Sequence, residues 1–347
     1  MNQALPIRKP RPEGPLSLSL VVPVFNEEET VHLFVEAIEA VREDVIAKMP
    51  EGGGIEIVFV DDGSRDRTVE KVLACRSDHL KIRLVRLSRN FGKDSALTAG
   101  LAHAKGDGVV PMDVDLQDPP EILPEMVEAW VDGAYVVNAM RMDRSSDNWF
   151  KRKAANTFYR IYNKIAAYPI TPNVGDFRLL DRQVIEALNM MPERIRFMKG
   201  LFSWVGFSPT TVGYTRTVRV AGTTKWKPWS LWNFALDGIT GSSTLPLRIW
   251  TYVGGFIAVL AVAWATLIFF RTLIYGADVP GYASLMVIGL TLGAAILIAL
   301  GVIGEYVGRI AIEVRQRPLY VVADAIDCED AAAPVEVAAV KKAAASE

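Results

Sequence analysis

Asp113 and Asp115, followed by Gln117 and then by Asp118-Pro119-Pro120-Glu121, form a dense set of potential oxygen ligands. On an extended backbone, residues two apart project to one side. Two carboxylates so placed could share one hard cation that also holds phosphate oxygens, and Gln117 would continue the face with a neutral oxygen. The same residues could form a polar turn, and the stretch alone does not separate the two readings. Three other polar clusters accompany it: Asn26-Glu27, Asp61-Asp62-Gly63-Ser64 and Ser88-Arg89-Asn90. Further along, Arg141-Met142-Asp143-Arg144 and Trp149-Phe150-Lys151-Arg152-Lys153-Ala154-Ala155-Asn156 concentrate positive charge, either as a grip for an anion or as an exposed basic face.

Short apolar runs must carry these clusters. Residues 18–25, 55–60, 82–87, the pair Val109-Val110, and residues 134–140 read as strands. Helical segments follow between them: one opened by Asn26 as a cap with Glu27, Glu28 and Glu29 in its first turn, one from about Asp66, and one over residues 93–104. This alternation predicts an α/β domain with a mostly parallel sheet covered on both faces. In such sheets ligands bind beyond the carboxyl ends of the strands. Each of the first four strands hands over to a polar cluster at that end, so the four loops together read as one site.

In order and spacing, Pro23-Val24-Phe25-Asn26-Glu27, Asp61-Asp62-Gly63-Ser64-x-Asp66-x-Thr68, Arg89-Asn90-Phe91-Gly92-Lys93 and Asp113-x-Asp115-Leu116-Gln117-Asp118-Pro119-Pro120-Glu121 resemble the inverting GT-A glycosyltransferases. The resemblance is strongest to polyprenyl-phosphate glycosyltransferases, the group of bactoprenol glucosyltransferases and dolichol-phosphate mannosyltransferases, and it runs from about Leu18 to about Tyr320. It implies a Rossmann-like GT-A domain over residues 16–222. It also implies that Pro23, Phe25, Glu27 and Asp62 meet the nucleoside of a sugar nucleotide, and that Asp113, Asp115 and Gln117 meet the ribose or a Mg²⁺ or Mn²⁺ ion on the diphosphate. Such an ion would stabilise charge on the departing diphosphate.

By the same resemblance, Arg141, Arg152, Asn156 and Arg178 become candidates for the acceptor's phosphate. Asp176, in Gly175-Asp176-Phe177-Arg178, becomes a catalytic or acceptor-positioning group, with Asp115 as the second catalytic candidate, and Arg196 and Lys199 become candidates at the donor diphosphate. A phosphate monoester has a second pKa near about 6 and is largely a dianion at neutral pH. It needs no base, so Asp176 is expected to position rather than to abstract a proton. His32, His79 and His103 have no clustered partners and read as structural.

A formal net charge of -2 argues against nucleic acid as the main partner. Cys75 and Cys328 offer neither zinc spacing nor a disulfide framework. Residues 249–270 and 281–304 contain no charged side chain, and each run is long enough to cross a hydrocarbon core of about 30 Å. They predict a two-helix transmembrane hairpin over 249–308, with spans at about 249–273 and 281–305. Residues 223–248, with Lys225-Trp226-Lys227-Pro228-Trp229, read as an interfacial amphipathic segment. Lys225, Lys227 and Arg248 before the first span, and Arg309, Arg315 and Arg317 after the second, put both ends and the 309–322 segment in the cytoplasm. Residues 1–15, Pro-rich and basic without an apolar signal run, read as a flexible lead, and the Ala-rich 323–347 as a disordered tail.

The expected activity is therefore transfer of one sugar, foremost glucose from UDP-glucose, to undecaprenyl or another polyprenyl phosphate at the bacterial inner membrane, with inversion and, by resemblance, in a tetramer. No motif fixes the sugar, so GDP-mannose, UDP-galactose, UDP-N-acetylglucosamine and UDP-aminoarabinose derivatives stay open as donors. A processive polysaccharide synthase would carry a Gln-x-x-Arg-Trp motif and more spans, and the sequence has neither. A catalytically idle membrane scaffold would have lost the acidic and basic positions, which are kept.

Overall fold

The computed structural model describes residues 14–50, 52–142, 157, 159, 160, 162–166, 168–194, 196–215, 243, 245–275 and 281–328. The strands are β1 (Ser17–Val24), β2 (Gly54–Asp61), β3 (Leu80–Leu87), β4 (Gly108–Pro111), β5 (Val136–Arg141), β6 (Val174–Asp181), β7 (Pro209–Tyr214) and β8 (Val322–Asp327). Among the described residues they form one sheet in the order β7-β5-β6-β4-β1-β2-β3-β8. Helices α1 (Val31–Ala47), α2 (Thr68–Ala74) and α4 (Leu123–Val131) pack on one face; α3 (Lys93–His103), α5 (Arg182–Asn189) and α6 (Met198–Trp204) pack on the other.

β1 and β2 are apolar along most of their length because both faces are covered. Leu18, Leu20, Ile57 and Phe59 meet Phe34 and Val72 on the first face, while Val21, Val58 and Val60 meet Leu97 on the second. Strand direction then decides where the site lies. β1 runs parallel to β2 and β4, β2 parallel to β3, and β5 parallel to β7, whereas β6 is antiparallel to both β4 and β5. The carboxyl ends of these parallel strands and the amino end of β6 therefore share one rim. That reversal brings Asp176 to the same edge as Asp113.

Two expectations change. The first helix begins at Val31 and not at Asn26, which sits at φ 53 and serves the loop instead. The structureless tail expected from Ala323 is a strand over Val322–Asp327, because β3 would otherwise present an unpaired edge. Arg83 and Arg86 on β3 pair with Asp327 and Asp324, the latter at 3.0 Å. Cys328 N–H donates to Ile82 O and Ser88 N–H to Val321 O, both at 2.9 Å. A chain ended after Tyr320 is expected to lose about 5 °C in thermal unfolding, and one ended after Cys328 to lose nothing; equal midpoints would contradict the edge-covering role.

Two long helices follow, α7 (Leu245–Tyr275, 31 residues) and α8 (Tyr282–Val314, 33 residues). At 1.5 Å per residue each exceeds the roughly 30 Å of a bilayer core. Tyr252, Phe256 and Trp264 on α7, and Leu285, Leu297 and Ile303 on α8, are exposed, unlike the side chains of a helix buried in a soluble core. By length and composition both can cross a membrane. Glu313, at the end of α8, accepts a hydrogen bond from Arg194 N–H at 2.8 Å, tying that helix to the sheet domain. Most of the 223–248 segment, residues 1–13 and the chain beyond Cys328 lie outside the described residues.

Candidate active site

The loops after β1 and β2 are stitched together by side chains. Asn26 N–H donates to Ser64 Oγ at 2.9 Å, and Asn26 Oδ1 accepts from Arg65 N–H at 2.9 Å. Glu27 N–H donates to Thr68 Oγ1 at 2.8 Å. Asp66 accepts from Thr68 N–H at 3.0 Å and from Glu28 N–H at 3.3 Å. Burial alone would raise the Asp66 carboxyl, but these bonds and the Thr68 hydroxyl hold it below its usual range.

Asp62 reaches across to the next loop. One carboxylate oxygen accepts from Phe91 N–H at 2.7 Å and the other from Gly92 N–H at 2.9 Å. Burial pushes this carboxyl above its usual value in spite of the two bonds. Gly63 lets the loops touch: at φ +74, a Cβ there would lie 2.7 Å from Arg89 C and Asn90 N. Arg89 stacks over the Phe91 ring at 3.9 Å. The loop so held delivers Lys93, the first residue of α3.

Lys93 stands between the two acidic halves of the site. Its Nζ lies 2.6 Å from Asp113 Oδ1 and 2.9 Å from Oδ2, and 3.4 Å from Asp176 Oδ2. Burial works against its charge, but Asp113 and Asp176 outweigh it and hold the ammonium above its ordinary value. Burial likewise opposes the Asp176 carboxylate, and Lys93, Lys199 and Arg178 overcome it, so Asp176 is held below the usual range. A carboxylate stabilised in this way is a weak base and a firm anchor.

These groups line a cleft of about 220 Å³ together with Pro23, Asp118, Arg141, Tyr159, Asn173, Lys199 and Tyr214. Tyr214 O–H donates to Asp118 Oδ1 at 2.6 Å. Of the residues singled out from sequence, Pro23, Asp113, Arg141, Asp176 and Lys199 are therefore gathered in one space. Arg178 lies in a neighbouring cavity, its guanidinium pushed down to about 10 by burial in spite of Asp176. Phe25, Glu27 and Asp62 do not line this cleft. Arg196 is not brought there: its guanidinium bonds Met191 O at 2.7 Å and Glu193 O at 3.4 Å. Arg152 and Asn156 lie outside the described residues.

Asp113 and Asp115 differ in exposure: Asp113 opens on the cleft and Asp115 does not. The chain turns after Asp115, with Leu116 at φ 54, and Asp115 is buried with Oδ1 accepting from Gln117 N–H at 3.2 Å. Asp115 and Gln117 accordingly do not line the cleft. No three His, Cys, Asp or Glu groups cluster as a self-contained metal cage among the described residues. Asp113 and Asp118 both line the cleft and are the hard oxygen donors a divalent ion would need, although Lys93 now meets both Asp113 oxygens. Lys93 and Asp118 belonged to recognised motifs but carried no assigned role. For Lys93 a signal existed: a cation at a helix amino terminus opposes the helix dipole and calls for compensation.

The family model for glycosyl transferase family 2 matches residues 19–188. An uncharacterized glycosyltransferase of Synechocystis sp. is 48% identical over 310 residues, covering 89% of this chain and 95% of that protein. The bactoprenol glucosyl transferase of Shigella phage SfII is 49% identical over 308 residues, covering 88% of this chain and 97% of that protein. Among solved structures, the mannosyltransferase PcManGT from Pyrobaculum calidifontis, in complex with GDP-Man and Mn²⁺, aligns over 91% of this chain and 90% of its own, at 19% identity and a TM-score of 0.43.

Proposed function

Because the chain belongs to glycosyltransferase family 2 and carries the mostly parallel α/β sheet of a GT-A glycosyltransferase, we propose that it transfers one sugar from a nucleotide donor to a polyprenyl phosphate. Glucose from UDP-glucose and undecaprenyl phosphate are the pair assigned, in line with the bactoprenol glucosyl transferases it resembles. The observation that carries this reading is the Asp113–Lys93–Asp176 array in a cleft of a chain that continues into two outward-apolar helices.

The acceptor phosphate attacks the anomeric carbon from the face opposite the diphosphate, which inverts configuration. A bond forms from phosphate oxygen to carbon, and the carbon–oxygen bond to the nucleoside diphosphate breaks with its electron pair on the departing oxygen. No proton moves, because the acceptor arrives largely as a dianion. Asp176, held charged, orients the acceptor or the sugar hydroxyls. Arg141 and Lys199 offset the repulsion between two anions brought together. Asp113 would hold a Mg²⁺ or Mn²⁺ ion, which would supply positive charge to the leaving group. Both long helices cross the plasma membrane with their basic flanks, and so the sheet domain, in the cytoplasm.

Purified protein with Mg²⁺ or Mn²⁺, undecaprenyl phosphate and a panel of UDP- and GDP-sugars is expected to give a lipid-linked product best with UDP-glucose. Absence of product with every donor would sink the proposal; a better donor would change only the sugar.

A further inference from the structure

The cleft opens where the sheet parts. β4 meets β6 at two positions, Gly108 opposite Asp181 and Val109 opposite Leu180, both at the end of β4 away from the rim. Beyond them, Pro111 and Met112 line one wall of the cleft and Val174 to Phe177 the other. The ladder between the two halves of the sheet therefore stops short of the rim. β4 and α3 deliver Asp113 and Lys93 from one half, while β5 and β6 carry Arg141 and Asp176 on the other. How far apart these groups stand is left to side chains.

Two contacts bridge the gap. One is Lys93 with Asp176, part of the charged array. The other is Tyr214, whose O–H donates to Asp118 Oδ1 at 2.6 Å, the length of a hydroxyl bonded to a charged carboxylate. Tyr214 is the last residue of β7 and is fixed at three points on the β5–β7 side. Its backbone is in register with Arg141, its carbonyl accepts from Met142 N–H at 2.9 Å, and its ring stands edge-on to Phe177 with centroids 5.9 Å apart. Phe177 lies between Asp176 and Arg178 on β6. On the other side, Asp118 closes the loop that carries Asp113, and Pro119-Pro120 behind it restrict the backbone.

We infer that Tyr214 is a positioning residue: its phenol, held by the β5–β7 side, grips Asp118 and sets the Asp113 loop at a fixed distance from Asp176 and Arg141. Resting on the proposed function, that distance is the gap across which the acceptor phosphate reaches the anomeric carbon. The donor diphosphate belongs to one half and the acceptor phosphate to the other. Loss of the phenol therefore leaves each substrate its own contacts and spoils their alignment.

The test uses the full chain in detergent with two readouts. By amide hydrogen exchange and mass spectrometry, residues 113–118 should exchange about tenfold faster in Tyr214→Phe and in Asp118→Ala than in the wild type, the effect of one lost hydrogen bond on local opening. The unfolding midpoint of Tyr214→Phe should stay near wild type, because the ring keeps its place on Phe177. Asp118→Asn, whose amide oxygen still accepts from the phenol, should exchange like the wild type. In the transfer assay, Tyr214→Phe should lower kcat about tenfold with KM for donor and acceptor near wild type. In an Asp118→Ala background the same substitution should change neither readout further. Unchanged exchange, faster exchange with kcat unaltered, or losses that add in the double variant would each overturn the assignment; a raised donor KM at unchanged kcat would make Tyr214 a substrate contact instead. A wild type that forms no lipid-linked sugar yet shows the exchange pattern would remove the functional reading and keep the anchor, so the two failures are distinguishable.

Discussion

Lys93→Met is expected to lower kcat by about 10²–10³-fold, on the scale of losing one preorganised charge from a transfer site, and to move the acid limb of the pH–rate profile upward. Lys93 is in contact with Asp113 and Asp176 at once. Without its ammonium, both carboxylates face an incoming diphosphate and an incoming phosphate with less compensation. The sign of the pH effect follows from Asp176. Burial raises its carboxyl, and Lys93 leads the charges that bring it below its usual value. Removing Lys93 raises the Asp176 pKa, so the charged form is lost at a higher pH than in the wild type.

The same contacts set stability. A carboxyl depressed on folding contributes stability above its unfolded pKa, and that contribution fades as pH falls through the folded value; for Asp176 the window lies at and below the usual carboxylate range. Lys93, raised on folding, contributes below its unfolded pKa of about 10.4, and this fades only as pH rises through its folded value. Lys93→Met removes the second and weakens the first, which Lys199 and Arg178 still support, so its unfolding midpoint at neutral pH should fall and its acid dependence flatten. Lys93→Arg keeps the charge with a planar fork in place of a point charge and should recover only part of the activity. An unshifted acid limb in Lys93→Met, with kcat near wild type, would remove Lys93 from the site.

The rim formed by β1 to β4 was legible because parallel strands covered on both faces read as apolar runs that stop abruptly at polar residues. β6 was not, since the charged Asp176 and Arg178 alternate with the buried Phe177 and Leu179, so the stretch reads as a motif without a strand. β8 was hidden for a different reason: Val-Ala-Asp-Ala-Ile-Asp has little to bury, and its order comes from backbone pairing and two ion pairs with a strand more than 230 residues earlier. After Asp115 the two-residue period stops at one backbone angle, the positive φ of Leu116, which redirects the chain before Gln117 and which side-chain spacing does not encode. Recognition of the four motifs nevertheless located the rim correctly, because each motif is a loop whose place follows from the strand before it. What sequence could not assign was which motif residues face the cleft and which hold neighbouring loops.

Asp62 tests that distinction. The resemblance places it at the nucleoside, whereas its carboxylate is bonded to Phe91 N–H and Gly92 N–H, immediately before Lys93. Asp62→Ala leaves two partly buried donors without an acceptor, each at the low end of the about 1–3 kcal/mol for an unsatisfied donor, so a loss of about 2 kcal/mol in unfolding free energy is expected. The loop that carries Lys93 is then free to shift, and a misplacement of about 1 Å is enough for a loss of about 10²-fold in kcat. Asp62→Asn keeps one acceptor oxygen but turns an amide N–H₂ toward the other backbone donor, so its losses should fall between those of wild type and Asp62→Ala. A residue that only bound the nucleoside would behave otherwise: KM for the donor would rise, while kcat and the unfolding midpoint would stay near wild type. Denaturant unfolding and steady-state kinetics on the two variants thus separate loop anchoring from nucleoside contact, and an unchanged midpoint in Asp62→Ala would return the residue to the nucleoside.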